Sequence, residues 1–246
     1  MKPSAPHVFI LAQGKGTRWS MEDKLRVNHR ELPDYKQLLP VGGETLVRRT
    51  LRLLREEGFT GDITLVCIPE LAGEVKGYGE SLTLPDPGDD ILQAIVQLLP
   101  LEQRGVMLLG DVLFSRLALR RLAKGMDLTA SGVLARCEPS RITVKKADEV
   151  FGFWYDADFQ PEALKRTTMM IEHGRPGKPW AIPYLAMPDF AQTAVAHNNH
   201  PPALRDLIGL PGMAHVCDYT DDIDSLQEYV EFWMPMEACA LVDELP

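Results

Sequence analysis

Val8-Phe9-Ile10-Leu11-Ala12-Gln13-Gly14-Lys15-Gly16-Thr17-Arg18-Trp19 joins a short apolar run to a basic, glycine-containing turn. An apolar run of this length, bounded by glycine, reads as a strand buried on both faces, the setting that parallel sheets provide. Gly14 and Gly16 let the backbone turn sharply and present successive N–H groups. That makes a concavity suited to phosphate oxygens, to which Lys15 and Arg18 add positive charge. The spacing belongs to neither of the two commonest phosphate loops. A P-loop requires Ser or Thr after its lysine, and Gly16 follows Lys15; a dinucleotide fingerprint requires a third glycine where Trp19 stands.

Outward from that turn, apolar runs alternate with amphipathic stretches, the pattern of a sheet with crossover helices. Leu46, Thr50, Leu53 and Leu54 share one face of a helix expected over 44–57 and ended by Gly58. Residues 63–68 read as a second strand stopped by Pro69, and 89–99 as a helix closed by Pro100. Gly105 to Leu109 reads as a third strand ending in Gly110-Asp111, and Ser115 to Lys124 as a helix stopped at Gly125. This half is expected to form a parallel sheet with right-handed crossovers. Beyond Leu128, strand-like runs over 129–136, 141–145 and 150–155 lack a long helix between them, as antiparallel strands at one edge would. Short helices are expected over 163–171, 189–197 and 202–208, and a C-terminal one over 225–233. The fold class is therefore α/β, with a mostly parallel central sheet, flanking helices and a smaller antiparallel edge sheet in the second half. Stretches 20–35 and 72–89 lack periodicity and read as lids or binding loops.

Composition removes several classes of function. The chain has 246 residues, 45% hydrophobic and 25% charged. It has no apolar run of about 18 residues, so neither a disordered chain nor a bilayer-spanning helix is expected. A net charge of −9 argues against broad nucleic-acid binding, which needs excess Lys and Arg, while leaving room for a small basic pocket. Cys67, Cys137, Cys217 and Cys239 are widely spaced, with no zinc pattern, and read as core thiols in a reducing compartment. His173, His197 and His200 form no metal set. The N-terminal residues lack a signal-peptide layout, so the expected location is the cytoplasm.

Four segments resemble the nucleotidyltransferases that join a nucleoside triphosphate to a sugar phosphate or a similar phosphate. Leu11-Ala12-Gln13-Gly14-Lys15-Gly16-Thr17-Arg18 is similar to the family's L-A-x-G-x-G-T-R loop, and residues 36–46, KQLLPVGGETL, to its lysine segment. Val106-Met107-Leu108-Leu109-Gly110-Asp111 resembles the strand ending in its magnesium aspartate, and residues 222–229, DIDSLQEY, its late D-I-D segment. The resemblance implies a Rossmann-like, glycosyltransferase-A type fold over 1–246, with 1–125 serving the nucleotide and 126–246 the acceptor. It implies catalytic roles for Arg18 and Lys36, and nucleotide contacts from Leu11, Ala12, Gln13, Gly14, Lys15, Gly16 and Thr17. Residues 87–94, PGDDILQA, are similar to the base-recognition loop, which adds Gly88 and Gln93 and leaves the base open. Two departures stand out. Tyr35 precedes Lys36 where proline is usual, and 20–35 is longer than the family's spacer. Gln13 occupies a place often held by glycine or alanine, where its amide could reach the nucleobase.

The chemistry of that set is coherent by itself. Attack of a phosphate oxygen on an α-phosphorus brings two polyanions together, so charge must be cancelled first. Magnesium takes one or two protein carboxylates plus substrate phosphates, and Asp111 and Asp224 are the candidate ligands of Mg2+, with Asp221 and Asp222 as rivals. Either aspartate could instead cap the helix that follows it. Arg18 and Lys36, the latter with Lys24 as rival, would neutralise the triphosphate and the leaving pyrophosphate. Acceptor contacts are expected from Lys165 and Lys178, and Trp154 and Tyr155 could pack on a sugar face, although core packing suits them better. The expected partners are a nucleoside triphosphate and a phosphorylated small molecule, with no nucleic acid and no membrane; a homo-oligomer is compatible with the sequence. Two other functions fit the pattern. A glycosyltransferase of similar architecture would need a D-x-D motif that Asp111-Val112-Leu113 lacks, and a catalytically silent nucleotide-binding protein would explain the irregular spacing before Lys36.

Overall fold

Alternate residues of β1 (His7–Ala12) enter two different cores, Val8, Ile10 and Ala12 one of them and Phe9 and Leu11 the other. A strand buried in this way must lie inside a sheet covered on both faces. The structure is a computed structural model and describes residues 5–13, 31–84, 91–102, 104–142, 148–174, 182–187, 204 and 208–234. In it β1 pairs in parallel with β4 (Ile63–Cys67) and β6 (Gly105–Leu109), so that Ile10 lies between Leu65 and Leu108. β4 also carries β5 (Glu80–Leu82), a short parallel strand inside the stretch read as loop.

Beyond β6 the sheet continues through β9 (Glu149–Tyr155), antiparallel to β6, to β8 (Ser131–Arg136), antiparallel to β9. β10 (Met213–His215) then adds in parallel to β8. The order in this seven-stranded sheet is β10-β8-β9-β6-β1-β4-β5. The second-half strands thus extend one edge of the parallel block, as their patterning led us to expect. The strand expected over 141–145 is different: Arg141 and Ile142 form a turn, and 143–147 lie outside the described residues.

Two helical layers cover the sheet. α1 (Leu46–Glu56) and α3 (Arg116–Leu128) bury Val47, Leu51, Leu119 and Leu122 on one face. α2 (Ile91–Leu98), α4 (Gln160–Glu172) and α5 (Ile182–Ala186) bury Leu92, Ile95, Ala163 and Leu185 on the other. α1 begins at Thr45, whose hydroxyl accepts from the Arg48 N–H. α3 begins at Ser115 and runs through Gly125, the residue expected to end it. Glycine stands there because Trp154 lies against the helix: a Cβ at 125 would sit 2.7 Å from its Cη2. Trp154 and Tyr155 are each 1% exposed and belong to the core, not to a sugar-binding face.

Two small antiparallel ladders stand apart from this sheet. β2 (Pro40–Val41) and β3 (Glu44–Thr45) form a hairpin whose turn, Gly42-Gly43, has φ of +64° and +81°, a conformation that favours glycine at both places. β7 (Val112–Leu113) pairs with β11 (Asp221–Asp222). The C-terminal helix expected over 225–233 is α6 (Leu226–Glu228) continuing into a π-helical turn, Tyr229–Trp233. The helix expected over 189–197 lies outside the described residues, as does all of 202–208 except Leu204 and Ile208.

Candidate active site

The carboxyl ends of β1 and β6 are drawn together by Gly110. Its N–H donates to the Leu11 carbonyl at 2.9 Å, and a Cβ there would lie 2.8 Å from both that oxygen and the Ala12 Cβ. Only glycine allows this approach, so Asp111 leaves β6 beside the point where Gln13 leaves β1. Lys36 arrives from a 3₁₀ turn, Lys36–Leu38, that precedes the β2–β3 hairpin. Its Nζ stands 3.6 Å from Asp111 Oδ2, with the lysine side chain 11% exposed and the aspartate 34%. A nearly buried ammonium needs such a partner, because desolvation penalises the charged form.

The late acidic segment reaches the same place through the β7·β11 ladder, which puts Asp222 opposite Val112, next to Asp111. The ladder extends one step further, the Ile223 N–H donating to the Asp111 carbonyl at 3.2 Å. A separate core then fixes all three segments. Leu39 follows the lysine turn and Leu46 begins α1, Leu113 follows Asp111, and Ile223 and Leu226 bracket Asp224 in the chain ahead of Tyr229 and Trp233; all are buried together. The Tyr229 hydroxyl donates to the Pro40 carbonyl at 2.8 Å, tying the last helix to the hairpin.

Neighbouring serines take the capping roles open to the aspartates. Ser115 caps α3, its hydroxyl accepting from the Ala118 N–H at 2.9 Å, and Ser225 caps α6, accepting from the Glu228 N–H at 3.2 Å. Neither Asp111 nor Asp224 is the cap. Asp221 is engaged inside the protein, where Oδ1 lies 2.8 Å from Arg136 Nη2 in a pair 2% and 1% exposed, and Oδ2 accepts from the Ser140 hydroxyl. Among the described residues no three His, Cys, Asp or Glu side chains converge as a metal set. Asp111, and Asp222 or Asp224 on the segment that the β7·β11 ladder joins to it, offer hard carboxylate oxygens of the kind that could hold a magnesium ion.

The sequence reading missed the latch that holds this segment. Asp218 accepts from the Ser115 hydroxyl at 2.5 Å through Oδ2 and from the Thr220 N–H at 2.8 Å through Oδ1, and Thr220 Oγ1 accepts from the Ser115 N–H at 3.0 Å. The Asp-x-Thr spacing of an Asx turn was the available signal. Arg136 was missed as well; it donates to the Thr220 carbonyl at 2.7 Å.

The other expected site residues are distributed as follows. Leu11 and Ala12 end β1. Gln13 is 7% exposed, and among the described residues neither Nε2 nor Oε1 has a hydrogen-bond partner. Gln93 lies half-buried in the first turn of α2, its carbonyl accepting from Gln97 Nε2 at 3.1 Å. Lys165, 69% exposed, stands on the outer side of α4 with Nζ 4.0 Å from Glu162. Gly14, Lys15, Gly16, Thr17, Arg18, Gly88 and Lys178 lie outside the described residues. Cys67 and Cys137 are buried, and burial pushes the Cys67 thiol up to about 11. No helix among the described residues is long and apolar enough to cross a membrane.

No protein-family model matches the chain, and no curated protein matches it by sequence. Solved structures do match it. CTP:phosphocholine cytidylyltransferase from Streptococcus pneumoniae superposes with a TM-score of 0.56 at 15% identity, over 93% of this chain and 97% of that one. Protein Rv0371c of Mycobacterium tuberculosis gives 0.54 at 17% identity, over 95% and 100%. UDP-glucose pyrophosphorylase from Acinetobacter baumannii gives 0.52 at 12% identity, over 95% and 93%. Likeness at these identities defines the architecture: the chain has the nucleotidyltransferase fold that its four segments resemble.

Proposed function

We propose that this chain is a divalent-metal-dependent nucleotidyltransferase. An oxygen of a phosphorylated small-molecule acceptor attacks the α-phosphorus of a nucleoside triphosphate, the bond to the β-phosphate breaks, and pyrophosphate leaves with the electron pair. The observation that carries this reading is the contact of Lys36 with Asp111, at 3.6 Å, where β1 and β6 end. Open α/β sheets bind ligands at the carboxyl ends of their strands, and this pair offers a phosphate-binding cation beside a metal-binding anion.

The attacking phosphate is already ionised, so no protein base is needed, and the work of the residues is positioning and charge cancellation. Lys36, held almost out of water, meets triphosphate oxygens as a fixed point charge, and Arg18 is the second cation the sequence offers for them. Asp111 and Asp224 would hold Mg2+ or Mn2+, which would supply further neutralisation of the phosphates. Solved structures of the same fold include the mycobacterial protein with manganese and the A. baumannii enzyme with UTP. Their names support this ligand class for the present chain. The first 125 residues serve the nucleotide and the rest the acceptor. A sugar phosphate or a related small phosphate is the acceptor class, and the net charge of −9 supports a small-molecule partner over nucleic acid.

A screen of four ribonucleoside triphosphates against a panel of sugar phosphates and phosphoalcohols, with magnesium and a pyrophosphate readout, tests the reading. At least one pair is expected to release pyrophosphate only when both substrates are present. Triphosphate binding with no pyrophosphate from any pair would favour a silent binding protein instead.

A further inference from the structure

Gln13 is the first residue past β1, and its carboxamide is more than nine-tenths buried with neither polar atom partnered among the described residues. Buried amides are normally paired, because an unpaired polar atom has given up its hydrogen bonds to water. An amide kept in this state holds nothing in the fold together, so its use lies with something that arrives. Its position narrows what that is. The alternation of β1 sends Ala12 toward the α1–α3 layer and Leu11 toward the α2–α4 layer. Continued one residue past the strand, the same alternation would put Gln13 on the α2 side, where the core contains Leu84 and Leu92. Just past the end of the neighbouring strand β6, Asp111 with Lys36 makes the charged end of the site. A neutral group next to an apolar layer suits an uncharged planar ring, whereas the phosphates suit the charged end.

We propose that Gln13 is the nucleobase-reading residue, its Oε1 accepting from and its Nε2 donating to adjacent positions on one edge of the base. This rests on the chain being a nucleoside triphosphate-using enzyme. The carboxamide offers one acceptor and one donor side by side, so it matches a base edge that offers one donor and one acceptor. A carboxylate in its place offers acceptors only, which matches the paired N–H donors of guanine.

The test uses the full chain as Gln13→Met, a near-isostere without hydrogen bonds, and Gln13→Glu. Calorimetry with magnesium measures binding of ATP, CTP, GTP and UTP, and of inorganic tripolyphosphate as a probe without a base. In Gln13→Met, affinity for the best-bound nucleotide is expected to fall at least about tenfold while tripolyphosphate affinity stays within about twofold. The ligand-free melting temperature is expected to rise by about 2–4 °C, because an unpaired buried amide has been removed. In Gln13→Glu, GTP gains relative to the other three. The proposal is overturned if the wild type binds all four nucleotides equally, if Gln13→Met keeps the same preference, or if it weakens tripolyphosphate as much as the nucleotides. It is also overturned if Gln13→Met melts at a lower temperature, since the amide would then be structural. A wild type that binds none of the four nucleotides removes the enzymatic reading itself, a result distinct from binding with an unchanged preference.

Discussion

In the proposed reaction the chemistry turns on Lys36 and Asp111, whose roles would separate in kinetics. Asp111→Asn keeps the shape and removes a charge, and turnover is expected to fall about 10²–10³-fold, the usual cost of losing one preorganised electrostatic partner. Asp111→Asn also leaves Lys36 without its 3.6 Å carboxylate, so triphosphate binding is expected to weaken less than catalysis. Lys36→Ala is expected to raise the KM for triphosphate and lower kcat together; unchanged steady-state constants in either variant would remove that residue from the site. At this scale the sequence was informative wherever a charged residue ends a patterned element. Asp111 follows a strand and a glycine, and Lys36 precedes a proline-glycine hairpin. The choice among Asp221, Asp222 and Asp224 was not legible, because what removes Asp221 is Arg136 on a distant strand. Nothing local to a D-D-x-D run says which carboxylate is already paired inside the protein.

Among the elements, the segment from Asp218 to Asp224 depends on the start of α3. Ser115→Ala removes a helix cap and leaves Asp218, 5% exposed, without one of its donors. The combined cost is about 2–4 kcal/mol. Denaturant unfolding measures it, and a loss under about 1 kcal/mol would show that the latch does not hold the segment. Gly125→Ala sets two effects against each other. Helix propensity gains up to about 1 kcal/mol. The new Cβ lies 2.7 Å from a Trp154 ring that is 1% exposed and donates through Nε1 to the Thr129 carbonyl at 3.2 Å. Overpacking costs about 1–3 kcal/mol, so the variant is expected to be less stable than the parent. Long elements were legible from patterning, α1 and most of α3 from the helical period and β1, β4 and β6 from their uninterrupted apolar runs. β5 and β10, at three residues each, are too short to display an alternation. The extension of α3 past Gly125 comes from a ring contributed by another strand, which no local rule sees.

For the molecule as a whole, α1 and α3 are clamped by charge. Glu56 and Glu57 end α1 and Arg116 begins α3, each at the helix end its charge disfavours, and pairing offsets both penalties. Arg116 Nη1 lies 3.1 Å and Arg120 Nε 2.6 Å from Glu57, and Arg116 Nη2 lies 2.5 Å from Glu56. The Arg120 hydrogen bond, aided by Arg116 and opposed by burial, holds the Glu57 carboxyl below the usual glutamate range. Burial pushes Glu56 up, but the bonds from Arg52 and Arg116 outweigh it and hold it low. A carboxylate whose folded value is depressed contributes stability that is present above the unfolded value, near about 4.3, and is lost as pH falls through the folded one. Melting temperature is therefore expected to drop as pH goes from about 5 to 3. Glu57→Gln should flatten that slope, and an unchanged slope would discount the clamp. The bond that breaks identifies the proposed reaction. Phosphorus NMR of the wild type with magnesium and its active substrate pair should show inorganic pyrophosphate appearing together with a new diphosphate linkage between nucleotide and acceptor. Free nucleoside diphosphate in place of pyrophosphate, meaning that the α–β bond survives, would contradict it.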